Sequence, residues 1–159
     1  MKNNKFSHVD NSGNPSMVDV SGKNNSLREA RAQAIIEVSP EIMKQINGNE
    51  LVTKKGPVFQ TAIIAGVMGA KKTADLIPLC HPLPVEDCQV RISTQENHII
   101  INTSARITGK TGVEMEALTA ATIAALTIYD MCKALSHDIV IKEVKLMEKS
   151  GGKNDFKRN

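Results

Sequence analysis

An α+β fold with an antiparallel four-stranded sheet follows from three features of the sequence. Residues 113–135 place Val113, Ala117, Ala120, Ala121, Ala124, Ile128, Met131 and Leu135 on one stripe at helical period. Residues 85–94 and 98–107 are alternating or β-branched runs joined by a short polar turn, the pattern of a hairpin. Ala30, Ala32, Ala34, Ile36 and Val38 alternate with Arg31, Gln33 and Glu37, which is strand periodicity, and a further strand reads at 139–147. The order is then β, short helix, helix, β, β, helix, β. Counted with one crossover before the hairpin, this is a ferredoxin-like βαββαβ sandwich with an extra short helix.

Each element has a local cause. Residues 1–28 are polar, with Asn at 3, 4, 11, 14, 24 and 25, and read as a flexible arm. Within it Met17-Val18-Asp19-Val20 is an apolar patch able to dock. Residues 29–159 form a single domain. Ser26 and Glu29 have capping-box spacing, so a helix competes with the first strand. Ser39-Pro40-Glu41 starts a short helix running to about residue 46, and Asn47-Gly48-Asn49 is a turn. Residues 57–74 read as helix, with Gly66 and Gly69 marking close approach to a neighbour. Prolines at 78, 82 and 84 forbid regular structure over 77–84. The back of the last helix carries Leu118, Ile123, Leu126 and Tyr129, with Asp130 and Lys133 among them. A helix apolar nearly all round is covered on both sides. That, with one sheet face left bare, predicts an oligomer.

Composition bounds the function. A chain of 159 residues with 41% hydrophobic and 3% aromatic content builds its core from Ile, Val, Leu, Ala and Met. No apolar run approaches a membrane span, and the Asn- and Lys-rich start is unlike a signal peptide. Cys80, Cys88 and Cys132 lack metal-ligand spacing, and their odd number argues against a disulfide framework, so a cytoplasmic protein is expected. A net charge of +3 is too small to claim nucleic acid, and stacking aromatics are scarce. Small anionic ligands remain.

Several groups carry chemistry. Thr108-Gly109-Lys110-Thr111-Gly112 fails as a phosphate loop because Ser104 stands where its first glycine is needed, yet glycines and a lysine before a helix N-terminus still suit an anion. A plain strand-to-helix turn fits equally. Glu114 and Glu116 complement the helix dipole, worth about 0.3–1 kcal/mol each, and point to opposite sides. Asp130 and Lys133 are helical neighbours, and their apolar flanks Ile123 and Leu126 point to a partly buried acid and amine tuned for proton transfer. In the 76–84 loop three prolines hold His81 rigidly, close to Lys71 and Lys72. Cys80 reads as a small packed residue. Lys54-Lys55-Gly56 and Lys149-Ser150-Gly151-Gly152-Lys153 are ordinary solvated loop ends by themselves. With Lys71, Lys110 and Lys133 they supply amines enough for a polyphosphate.

The strings MVDVSGK (17–23), AKKTADLIPLCHPL (70–83), TGKTGVEMEALTAATIAALTIYDMCKAL (108–135) and KSGGK (149–153) resemble cyclic pyranopterin monophosphate synthase, the C protein of molybdenum cofactor biosynthesis, over about residues 7–157. The resemblance implies a ferredoxin-like catalytic domain and conversion of 3′,8-cyclo-7,8-dihydro-GTP into cyclic pyranopterin monophosphate with loss of pyrophosphate. It also implies a homo-hexamer, a trimer of dimers with active sites between subunits. By the same resemblance Asp130 is the catalytic aspartate and Lys133 its essential lysine. Leu79, Cys80, His81, Met115 and Glu116 would bind substrate, and Lys55, Lys71, Glu114 and Lys149 match further site positions. No cofactor is required on this reading, with magnesium an optional companion of the triphosphate, and neither nucleic acid nor membrane is a partner. One departure is Ile63, where members often have arginine.

The expected chemistry opens and recloses a ring and cyclises a sugar oxygen onto phosphate, all by proton transfers. Asp130 and Lys133 would be the acid–base pair, Glu114 and Glu116 would hold the guanine-derived base, and His81, Lys55, Lys71 and Lys149 would bind the triphosphate or shuttle protons. Glu116 and Asp130 are fourteen residues apart, about 21 Å along a helix, so the substrate is long or two subunits contribute. A nucleotide- or RNA-binding module competes, but Phe6, Phe59, Phe156 and Tyr129 all lie off the expected strands. A purely structural oligomer is the third reading.

Overall fold

The computed structural model describes residues 9, 10 and 12–159, so residues 1–8, with Phe6, and Asn11 lie outside the described part. Ser26–Glu37 is β1, a strand of 12 residues. Its capping-box spacing loses to the alternation that follows. Ala30, Ala32, Ala34 and Ile36 are all buried, and a helix would scatter them around its surface.

The next stretch departs from expectation. The first helix, α1 (Pro40–Met43), is one turn long, because Ile46 is taken into β2 (Ile46–Asn47). The chain turns at Gly48, φ +62°, into β3 (Glu50–Thr53), and β4 (Gly56–Pro57) completes a small three-stranded sheet. Strands of two residues hold no period to read, so the sequence did not announce this sheet. The helix expected over 57–74 is α2 (Val58–Lys71), followed by the single turn α3 (Thr73–Leu76). The break falls at Lys72, and the buried Thr73 hydroxyl donates to the Ala70 carbonyl at 2.9 Å, satisfying a helix end that would otherwise be orphaned.

β5 (Asp87–Gln95) and β6 (His98–Gly109) form the expected hairpin. The long helix α4 (Glu114–Cys132) stops before residue 135, and Leu135 is exposed rather than part of the core stripe. β7 (Val140–Ser150) returns to the sheet, and Gly151, at φ +80°, turns the chain into β8 (Phe156–Lys157).

The main sheet is therefore five-stranded rather than four-stranded, in the order β5-β6-β1-β7-β8, with every pairing antiparallel. The extra strand pairs Lys157 with Glu148 and Phe156 with Lys149 at one edge. Phe156 is thus on a strand after all, with the Arg158 guanidinium 5.5 Å from its ring centre.

Helices α2 and α4 cover one sheet face. Ile99, Ile101, Ala105 and Ile107 of β6 meet Ala117, Ala121, Ala124 and Ile128 of α4 across the core. The buried Thr103 hydroxyl donates to the Ala117 carbonyl at 2.8 Å and ties the layers together. The opposite sheet face is polar, which removes half of the argument for an oligomer. Arg31 pairs with Glu29 at 2.9 Å, Arg106 with Asp87 at 3.5 Å, and the Gln33 amide donates to Asn102 at 3.0 Å. Such a face is stable in water. Apolar surface is left bare on the helices, at Ile64 and Met68 of α2 and Leu126 of α4, and on strands at Leu27, Val52 and Val140. No helix among the described residues is long and apolar enough to cross a membrane.

Helix α2 approaches α4 through its glycines. A Cβ on Gly66 would lie 3.0 Å from both the Ala120 carbonyl oxygen and Val90, and one on Gly69 would lie 2.8 Å from Ile123. Gly66→Val is expected to lower the unfolding free energy by about 1–3 kcal/mol, the usual cost of overpacking, read from the urea midpoint. An unchanged midpoint would mean that the helices have slack.

Candidate active site

Helix α4 organises the candidate residues by carrying some at each end. At its start, Val113 offers no side-chain cap, and the first turn presents Glu114 and Glu116. Gly112 leaves the space that the Glu114 carboxylate fills, since a Cβ there would collide with it. The 77–84 loop lies against this turn. Leu79, Cys80, His81, Glu114, Met115 and Glu116 together line one cavity of about 320 Å³. Six residues from two stretches more than thirty positions apart thus meet in one hollow.

Two neighbouring hollows share its walls. Glu114 also lines one of about 180 Å³ with Lys23, Arg28, Lys110, Lys149 and Lys153. There Lys149 Nζ is 2.9 Å from Glu114 Oε1, and Glu29 brings a second carboxylate, so the five cationic side chains outnumber the acids. Glu116 also lines one of about 390 Å³ that contains Lys71. Because Glu114 and Glu116 point to opposite sides of the helix, the three hollows run around its first turn, with Lys149 on one flank and Lys71 on the other.

Burial sets the protonation here. Glu116 is only 3% exposed, and burial pushes its carboxyl pKa up, with the Glu114 charge adding to the rise. The Cys80 thiol is pushed up by burial and then by Glu116. It therefore stays a thiol and is no activated nucleophile.

Residues 17–23 close one side. The His81 Nε2–H donates to the Val18 carbonyl at 2.8 Å, and Lys110 Nζ donates to the Ser21 carbonyl at 2.8 Å. The first bond leaves Nδ1 of a neutral His81 as an acceptor. Lys23 and Arg28 were missed as site residues by sequence reasoning. Lys23 belongs to a quoted string that holds no chemistry by itself, and Arg28 reads as one more polar position on an alternating strand.

At the other end of α4, Asp130 bridges two amines. Lys133 Nζ is 2.7 Å from Oδ1, and Lys55 Nζ is 2.7 Å from Oδ2 and 3.0 Å from the Asp130 carbonyl oxygen. Lys55 comes from the β3–β4 turn, where Gly56 takes φ +108°. This trio corrects the expectation of a partly buried pair. The side chains of Asp130 and Lys133 are each 54% exposed, because Leu126 is itself exposed and cannot shield them. Lys133 and then Lys55 hold the Asp130 pKa down at about 2, and Asp130 in turn raises that of Lys133. In the protomer the pair is doubly ionised. Some 21 Å of helix separates Asp130 from Glu116, so the expected residues fall into two clusters and not one.

Glu116 supplies a test of this electrostatic picture. Its folded pKa lies above the unfolded value, so its stabilising contribution is full below the ordinary glutamate range and is lost as pH rises through the folded pKa. Glu116→Gln is therefore expected to stabilise the chain at about pH 7 and to change little at about pH 4, measured by denaturant unfolding at each pH. Equal gains at both would assign the effect to packing rather than charge.

Comparison with known proteins accords with this arrangement. A model of the MoaC family matches residues 17–152, from the segment under His81 to the glycines after Lys149. The chain is also 49% identical to the protein named Molybdenum cofactor biosynthesis protein 1 of Dictyostelium discoideum, over 97% of this chain. It spans 27% of that relative's length. The family match covers far more than half of the sequence and every residue lining the cavity at the start of α4, and the chain belongs to the MoaC family.

Proposed function

We propose that this chain acts in molybdenum cofactor biosynthesis as a lyase, converting 3′,8-cyclo-7,8-dihydro-GTP into cyclic pyranopterin monophosphate with release of pyrophosphate. Family membership and the name of the Dictyostelium discoideum relative support the pathway. The observation that carries the reaction is the cavity lined by Leu79, Cys80, His81, Glu114, Met115 and Glu116, with a hollow of clustered amines on one side and Lys71 on the other. A buried carboxyl at Glu116 suits hydrogen bonding to a guanine-derived ring, and the flanking lysines suit phosphates. Clustered amines lower the barrier to pyrophosphate departure by stabilising charge as it develops. Any magnesium would accompany the triphosphate oxygens.

Asp130 and Lys133 are the proposed acid–base pair. A base with pKa about 2 beside a strengthened ammonium is poorly matched to neutral pH. Covering the pair with substrate or a second subunit removes water and moves both groups toward the working range. This, together with bare Ile64, Met68 and Leu126, supports a homo-hexamer with sites between subunits on a ferredoxin-like domain. A nucleic-acid module is less well supported, because Phe156 on the short edge strand is the lone strand-borne aromatic among the described residues.

A turnover assay with the cyclised dihydro-GTP substrate tests the reading, and absence of pyrophosphate release would overturn it. Asp130→Asn and Lys133→Ala are each expected to cut turnover by about two to four orders of magnitude, with the double variant little worse than either single. As a surface ion pair alone they would alter stability by about 0.2–0.5 kcal/mol and leave turnover near wild type. Separately, Lys71→Ala and Lys149→Ala are expected to weaken binding of a triphosphate ligand more than of its monophosphate by calorimetry. Equal losses would mean that these lysines do not read the polyphosphate.

A further inference from the structure

Helix α2 begins without a cap of its own. Its N-cap position is Pro57, which has no side-chain acceptor, and its first turn contains no acidic residue. The exposed amides at such a start need partners from elsewhere. Glu50, at the beginning of β3, supplies them. Its Oε1 accepts the Phe59 amide at 2.7 Å and the Leu51 amide at 2.8 Å, while Oε2 accepts the Gln60 amide at 3.1 Å. Burial alone would raise this carboxyl's pKa, but the amides of Phe59, Leu51, Gln60 and Val58 outweigh it and the net shift is downward. Glu50 is thus an ionised cap delivered across space, with its charge at the positive end of the helix dipole.

The same carboxylate clamps the β3–β4 hairpin onto α2. Val52 pairs with Pro57 and Thr53 with Gly56, so the turn between the strands holds Lys54 and Lys55. Lys55 reaches from this turn to both the carboxylate and the main-chain carbonyl of Asp130. Its backbone origin is held at β4 by direct continuity with α2. At β3 it is held by the buried Leu51 and, through the start of α2, by Glu50.

We propose that Glu50 is a positioning residue, holding the β3–β4 turn so that Lys55 reaches Asp130. The catalytic consequence rests on the reading of Asp130 as part of the active site. The placement of Lys55 does not.

The two are separable in one experiment. Carboxyl-carbon NMR of Asp130 between about pH 3 and 5, around the ordinary carboxylate range, reports whether Lys55 is in place. Turnover with the cyclised dihydro-GTP substrate reports the chemistry. The comparison uses wild type, Lys55→Ala, Glu50→Gln and Glu50→Ala combined with Pro57→Asp. The last restores an N-cap at the ordinary position without the link to β3. Lys55→Ala is expected to shift Asp130 titration upward, and both Glu50 variants to shift it in the same direction. Adding Lys55→Ala to either should produce no further shift. Their kcat should fall together with that of Lys55→Ala, while KM changes less. Wild-type titration of Asp130 in folded Glu50 variants would overturn the proposal. So would failure of both Glu50 variants to fold, since Glu50 would then serve folding rather than placement. Shifted titration with unchanged turnover in Lys55→Ala would leave the positioning intact and remove Lys55 from the reaction.

Discussion

The seating of α4 between the sheet and α2 is the constraint on which the site depends. Ala117, Ala120, Ala121, Ala124 and Ala125 are all buried, and Ala30, Ala32 and Ala34 line the β1 side of the same core. Gly66 and Gly69 of α2 leave no room for a Cβ of their own against α4 and β5. Small residues on three elements bring backbones close together and leave the helix nothing soft to slide on. A helix so held presents its ends at a fixed separation. The cavity with Glu116 and the trio around Asp130 are therefore held at a fixed distance from each other.

The helix carries carboxylates whose proton affinities are shifted in opposite directions. Glu116 is walled in by the 77–84 loop and has no lysine partner, so its proton is held more tightly than in water. Asp130 stands in solvent between two ammonium groups and gives its proton up far more readily. The helix dipole opposes the difference, since it favours an ionised carboxylate at the start of α4 and disfavours one at the end. The difference comes from what faces each end: a proline-stiffened loop at one, and a lysine-bearing turn at the other.

The segment before β1 extends the site beyond the layered domain. Val18 and Ser21 have their carbonyls held by His81 and Lys110, side chains that stand on either side of the α4 start. Asp19 caps its own turn by accepting the Ser21 amide at 2.8 Å. The cation-rich hollow therefore has a wall made from residues with no regular structure, and Lys23 enters it by that route.

The strands β1, β5, β6 and β7 and the helix α4 were legible in the sequence, because periodicity at two or 3.6 residues is a local property of the chain. So was the gathering of Glu114 and Glu116 in one helical turn, and the lack of regular structure over 78–84. The two-residue strands β2, β4 and β8 were not legible, since pairing across space defines them and the residues themselves are unremarkable. The same limit applied to the charges. Spacing alone made Asp130 and Lys133 neighbours, but their exposure depended on Leu126 being left uncovered, and the third member, Lys55, arrives from 75 positions away. Glu50 shows the limit most plainly. It caps a helix eight residues further on, across two strands and a turn. Sequence determined which elements form, because their causes lie within a few residues. Tertiary structure decided which groups meet and in what charge state, because burial and pairing are set by distances that the chain acquires only when it folds.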